Sequence, residues 1–197
     1  MKSLLVLVIM SACVMCSSAS RVIQRTLQED ATGVFTEREA HDALPSGKSL
    51  LSLKASFKTH APGYYFLESD TSPHGKPVYR ILVSIDGQSV VWKIEGKPES
   101  TPTRDGEGNL ISEPEAGEGF RYILEKSVIL APGRHRIFFS LPDEDYYQEF
   151  TINVSPGGVN IVELKPIYKF TPRSHRRSFA GDVNHFQVFF NTPEVIE

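Results

Sequence analysis

From Lys48 onward the chain alternates apolar and polar residues, and its connections are too short to hold crossover helices. That combination restricts it to a largely antiparallel sheet. Leu51, Leu53, Ala55 and Phe57 alternate with Ser52, Lys54, Ser56 and Lys58, which puts one face of the strand inward and the other in water. Ile81, Val83 and Ile85 lead to Asp86-Gly87, a two-residue hairpin signal, and Val90, Trp92 and Ile94 return from it. Trp92 is the only tryptophan and belongs in the core. Further strands are expected at 64–67, 122–130, 135–141, 150–154, 159–168 and 184–190, separated by Gly/Pro turns. Near-regular strands of this kind predict an all-β chain, an antiparallel β-sandwich of Ig-like or transthyretin-like type spanning 48–190.

The first nineteen residues read differently. Lys2 precedes the apolar run Leu4 to Met10, and small residues follow. This is the pattern of a signal peptide, too short for a membrane-spanning helix. Two exits are open. Ser17-Ser18-Ala19 suits an ordinary signal peptidase, with a mature start near Ser20. Met10-Ser11-Ala12-Cys13 resembles the lipobox of bacterial lipoproteins, which implies lipidation of Cys13; Met10 stands where that family has leucine. Both cysteines, Cys13 and Cys16, lie in this stretch, so the mature domain forms no intrachain disulfide. An exported domain of this kind is held by its core alone, and its length suffices: about 150 residues bury roughly 70% of their unfolded surface.

Residues 20–47 are polar and interrupted, and read as a tether carrying a short helix over 36–44. Thr36 and Glu39 have capping-box spacing, and Pro45 stops the run. Residues 97–119 read as one long loop rich in Gly, Pro and Glu, and 191–197 as a tail.

Leu130-Ala-Pro-Gly133-Arg-His135-Arg-Ile137, then Tyr146-Tyr147, Phe150-Thr-Ile-Asn-Val154 and Gly157-Gly158, resembles the second half of PEGA-type or carboxypeptidase-regulatory-like β-sandwiches. The similarity covers about residues 78–168 and includes the Ser84-Ile-Asp-Gly87 hairpin. It implies a binding or spacer module and brings no catalytic set.

Candidate chemistry is sparse. Leu44-Pro-Ser-Gly47-Lys48-Ser49 has the tail of a phosphate-binding loop, but Asp42 stands where the first glycine belongs. Asp105-Gly-Glu107-Gly-Asn109 offers alternate oxygens, yet Leu110 replaces the glycine of an EF-hand and Ala116 its bidentate glutamate. The six histidines, His41, His60, His74, His135, His175 and His185, show no metal spacing. No catalytic residue, metal or cofactor is expected. The chain counts 21 basic and 24 acidic residues; removing Lys2 with the leader takes −3 to −4, and nucleic acid is not an expected partner.

The expectation is therefore a non-catalytic, lipid-anchored envelope module at the periplasmic face of a bacterial outer membrane, contacting another envelope protein or polymer. A secreted or periplasmic form is the alternative location. A small-molecule or carbohydrate binder is the alternative function, with Tyr64, Tyr65, Tyr146 and Tyr147 as its aromatic surface and one tyrosine of each pair facing out. Arg173, Arg176 and Arg177 form the one basic cluster that could meet head groups or an acidic polymer.

Overall fold

A computed structural model describes residues 19–39, 43–63, 72–111, 113–144, 146–171, 176–177, 183–191 and 195–196. The order is α1 (Ala19–Leu27), β1 (Phe35–Glu37), β2 (Ser49–His60), β3 (Val78–Ile85), β4 (Gln88–Thr101), β5 (Gly117–Leu130), β6 (Gly133–Leu141), β7 (Tyr146–Val154), β8 (Val159–Tyr168), β9 (Phe170–Thr171), β10 (Arg176–Arg177), β11 (Val183–Phe190) and β12 (Val195–Ile196). Nine strands make one sheet in the order β12-β11-β8-β2-β5-β4-β3-β6-β7, with β1 added beside β5. β9 and β10 form a separate two-stranded sheet.

The sheet nearly closes into a barrel, and β4 provides its corner. Before Gly96 it pairs with β3, and from Gly96 to Thr101 it pairs with β5. A Cβ at Gly96 would sit 2.5 Å from the Tyr122 ring, so only glycine lets the strand turn this close to β5. β1 lies along β5 at Val128–Leu130, beyond where β4 leaves it. The Gln88 side chain ties it in place. Its Oε1 accepts from Val34 N (2.8 Å) and Phe35 N (3.1 Å), and its Nε2 donates to Phe35 O (2.9 Å). At the other seam, Phe186 N of β11 donates to Tyr146 Oη (3.1 Å) and Gln148 Oε1 (3.3 Å) of β7. Side chains replace a backbone ladder there.

The inward face is mostly apolar. Phe57 packs edge-on to Tyr79 at 5.0 Å and stacks on Tyr122 at 5.4 Å, with Phe186 and Phe139 continuing the cluster. Trp92 is buried as expected and donates to Glu37 Oε2 at 2.8 Å. The Asp86-Gly87 hairpin forms with φ of 47° and 89°, the left-handed pair that a two-residue turn requires.

Several expectations change. The all-β reading holds, but the ladders do not divide into the two separate sheets of a sandwich, because β4 joins both halves. β2 and β8 pair in parallel; they are far apart in sequence, so the chain reaches that alignment through the intervening strands without a crossover helix. The helix expected over 36–44 begins instead as strand β1, whose edge is wanted by β5; residues 40–42 lie outside the described residues. The helix forms earlier. Ala19, Val22, Ile23 and Thr26 recur at helical spacing, and Ile23 packs on Leu82 and Phe138 on the outer face of the sheet. Within residues 20–47, α1 packs on the outer face of the sheet through Ile23 and β1 pairs with β5. The loop expected over 97–119 shortens to 102–116, because β4 and β5 go on pairing beyond Gly96.

Candidate functional site

One end of the barrel gathers the polar chemistry. β2, β4, β6 and β8 finish there, and β3, β5, β7 and β11 begin there. Lys58, Thr59 and His60 end β2, and all three are buried. Alternation with Phe57 placed Lys58 in water, yet it is 1% exposed, because the end of β4 and the turn before β5 cover it. Its Nζ donates to Thr101 Oγ1 (3.2 Å), Glu115 O (3.0 Å) and Gly117 O (2.7 Å), which uses all three protons. Burial lowers the pKa of this ammonium, and the carboxylates of Glu99 and Glu115 only partly restore it.

Beside it, Arg121 binds Glu99 through Nε and through Nη2 at 3.0 Å, Glu115 through Nη2 at 2.7 Å, and Ser56 Oγ through Nη1 at 3.2 Å. Hydrogen bonds from Arg121 hold Glu99 below the usual carboxylate range against the opposing effect of burial. Tyr168 donates to Glu115 Oε1 and accepts from Lys58 N at 2.9 Å. Burial, then the Glu115 charge, push its phenol far up. Two cations and two carboxylates thus neutralise one another.

The second cluster is a relay. His60 Nδ1 lies 2.9 Å from Ala61 O, His60 Nε2 lies 2.7 Å from His74 Nδ1, and His74 Nε2 lies 2.7 Å from Glu144 Oε1. Tyr79 donates to the same Glu144 oxygen. The three links need three protons. Two neutral imidazoles bring two, and a carboxylate brings none. The chain of groups therefore holds one further proton. Burial pushes the Glu144 carboxyl up, but hydrogen bonds from His74 and Tyr79 and the charge of His74 outweigh it and hold the group below its ordinary value. The hydrogen bonds from His74 and Tyr79 thus favour the charged form of the Glu144 carboxyl. Between the clusters Thr59 Oγ1 accepts from Gly75 N at 3.0 Å.

The sequence reading missed both clusters. His60 and His74 are 14 positions apart and Glu144 is a further 70 from His74, so no local motif links them. Of the tyrosines, Tyr146 sits half-buried in the β7–β11 seam and donates to Gln148 Oε1 at 2.6 Å. Tyr147 is exposed and stacks on Phe138 at 5.3 Å. Tyr64, Tyr65, Arg173 and Cys13 lie outside the described residues, and Arg176 and Arg177 are placed as backbone in β10, paired with Thr171 and Phe170. His135 lies within hydrogen-bond distance of Asp86 Oδ2 (2.7 Å) and Ala131 O (2.9 Å). Asp105 turns its carboxylate onto its own loop, accepting from Glu107 N and Asn109 N. Among the described residues no group of three or more His, Cys, Asp or Glu is arranged to hold a metal, and no helix is long and apolar enough to cross a membrane.

A hollow of a different kind lies under α1. Val22, Arg25, Thr26 and Glu29 face Ser84, Asp86, Gly87, Arg136, Phe138 and Glu149 across about 170 Å³. Comparison with family models, with curated proteins and with solved structures finds no match to this chain.

Proposed function

We propose that this chain is an exported, lipid-anchored, non-catalytic β module that contacts another component of a bacterial cell envelope. One observation carries the non-catalytic part of the reading. Where charge converges, at the barrel end, the groups are spent on each other: Lys58 has three acceptors, Arg121 is wrapped by Glu99 and Glu115, and the His60–His74–Glu144 relay ends on Tyr79. Groups so saturated hold strands together and have nothing left to offer a reacting molecule. The anchor rests on the Met10–Cys13 lipobox. Each buried acyl methylene contributes about 0.8 kcal/mol, so several chains on Cys13 would hold the domain stably at the membrane.

Kinship with the PEGA-type modules is part of the same proposal. Residues 78–168 carry the resemblance, and within them β4 pairs with β3 before Gly96 and with β5 from Gly96 onward. On the outer face Val159, Ile161 and Ile123 are exposed, which supports a contact surface there.

Mass spectrometry of the protein taken from its own membranes tests the anchor. A first residue Cys13 bearing diacylglycerol is expected. An unmodified start near Ser20, or retained Met1, overturns it. Crosslinking in the same preparation should join the domain to an envelope neighbour. A small-molecule binder is the second reading, favoured by the hollow under α1.

A further inference from the structure

We propose that the hollow between α1 and the outer face of β3, β6 and β7 binds a small zwitterion of amino-acid size, with Ser84 as its buried hydrogen-bond partner. The inference does not depend on the membrane anchor.

Ser84 is the starting point. It is 3% exposed, and its Oγ is the one buried side-chain polar atom without a partner among the described residues. An unmet buried hydroxyl is costly, and such groups are rare unless something outside the fold completes them. Its neighbours in the sheet offer no relief. Ser84 pairs across with Ser89 on β4 and with Phe138 on β6, and Ser89 spends its hydroxyl on Thr26 O at 2.9 Å. Ser84 is among the residues that line the hollow.

The rim adds charge of both signs. Arg25 and Glu29 come from the helix, and Arg136 and Glu149 from the sheet. None of the four makes an ion pair among the described residues. Asp86, the third acid, is already held by His135 and by Arg136 N. Two free guanidinium groups and two free carboxylates around one opening suit a ligand that carries both charges itself, since either charge alone would leave one rim pair unmatched. Phe138 and Val22 supply the apolar wall for a short side chain. The volume of about 170 Å³ equals five or six waters at about 30 Å³ each, below the roughly 300 Å³ where larger ligand pockets begin. That confines the occupant to a small solute.

The test uses the mature protein and three probes: L-alanine, which carries both charges, acetate, and ethylammonium. L-alanine should shift the backbone amide resonances of Ser84 and Phe138 and raise the thermal midpoint in a saturable way. Acetate and ethylammonium should do neither at equal concentration. Ser84→Ala should weaken the alanine response at least tenfold while the free protein melts no lower than wild type, because the substitution removes an unmet polar atom. Arg136→Gln, at an exposed position, should weaken it as well and serves if the serine variant misfolds. Equal responses to acetate and L-alanine would mean an anion site and overturn the proposal. So would a hollow that responds to no probe and holds water only, or an alanine response unchanged in both variants.

Discussion

Replacing Lys58 by methionine is expected to destabilise the domain by about 2–4 kcal/mol, and the sign is the informative part. Methionine keeps the apolar stem and removes the ammonium, so cavity formation contributes little. Three hydrogen bonds disappear, at 3.2, 3.0 and 2.7 Å, and the half-buried carbonyls of Glu115 and Gly117 lose a donor. Each orphaned acceptor costs about 1–3 kcal/mol. The local charge also changes, since Arg121 alone then faces Glu99 and Glu115. Against this stands the relief of not burying a cation. Burial, with the Arg121 charge beside it, lowers the pKa of Lys58 in spite of Glu99 and Glu115. That offset keeps the expected loss well under the full sum. Urea denaturation of wild type and Lys58→Met, with Thr101→Val as a milder control that removes one acceptor, measures it. A Lys58→Met protein within about 0.5 kcal/mol of wild type, or more stable, would refute the reasoning and make Lys58 a tolerated charge instead of a structural one.

Removing residues 102–116 should destabilise the domain, because Glu115 goes with them and both Lys58 and Arg121 lose a partner; a truncated domain with an unchanged urea midpoint would count against this. Gly119→Ala would place a Cβ 2.1 Å from Thr59 O, so a loss of about 3 kcal/mol or more, or failure to fold, is expected in thermal melts. Acid should weaken the fold through Glu144 and Glu99. Both folded pKa values are depressed, so their contribution is complete above the ordinary carboxylate value and is lost as pH falls through the folded one; urea midpoints from about pH 6 to about pH 3 should drop less steeply in Glu144→Gln. Tyr146→Phe should cost about 1–2 kcal/mol and speed hydrogen exchange at the Phe186 amide, and in wild type burial should hold the Tyr146 phenol un-ionised up to about pH 12 in an absorbance titration.

The strands were legible in the sequence because their alternation is local. Ile81–Ile85 and the Asp86-Gly87 turn needed only near neighbours to declare themselves, and the hairpin formed as expected. What failed depended on distant partners. Thr36-x-x-Glu39 carries a helix signal, but the open edge of β5 at Val128–Leu130 takes Phe35–Glu37 as a strand. Ile23 helps form a helix because Leu82 and Phe138, some sixty and more than a hundred positions later, offer an apolar surface. Lys58 fits a wet face by pattern and sits buried by virtue of Glu115 and Gly117. The relay could not be read at all, since His74 and Glu144 meet only after β3 and β6 have paired.

The polar end also settles something the apolar stripe cannot. A period-two pattern rejects a register slip of one residue but accepts a slip of two, because the same faces stay buried. Between β2 and β5 the observed register sets His60 against Gly119 and Lys58 against Arg121. Slipping β5 by two in one direction would put Arg121 opposite His60, where its Cβ would meet the Thr59 carbonyl that lies 2.1 Å from a Cβ built at Gly119; the other direction puts Gly117 there and is opposed by the polar contacts alone. The same slip would pull Gly117 O from Lys58 Nζ and Arg121 from Glu99, so that both cations lose a partner. Each such loss costs several kcal/mol, whereas the apolar contacts change little. In a barrel with no disulfide among its described strands, the Lys58 and Arg121 networks therefore choose among the even registers that Leu51, Leu53, Ala55 and Phe57 leave equally satisfied.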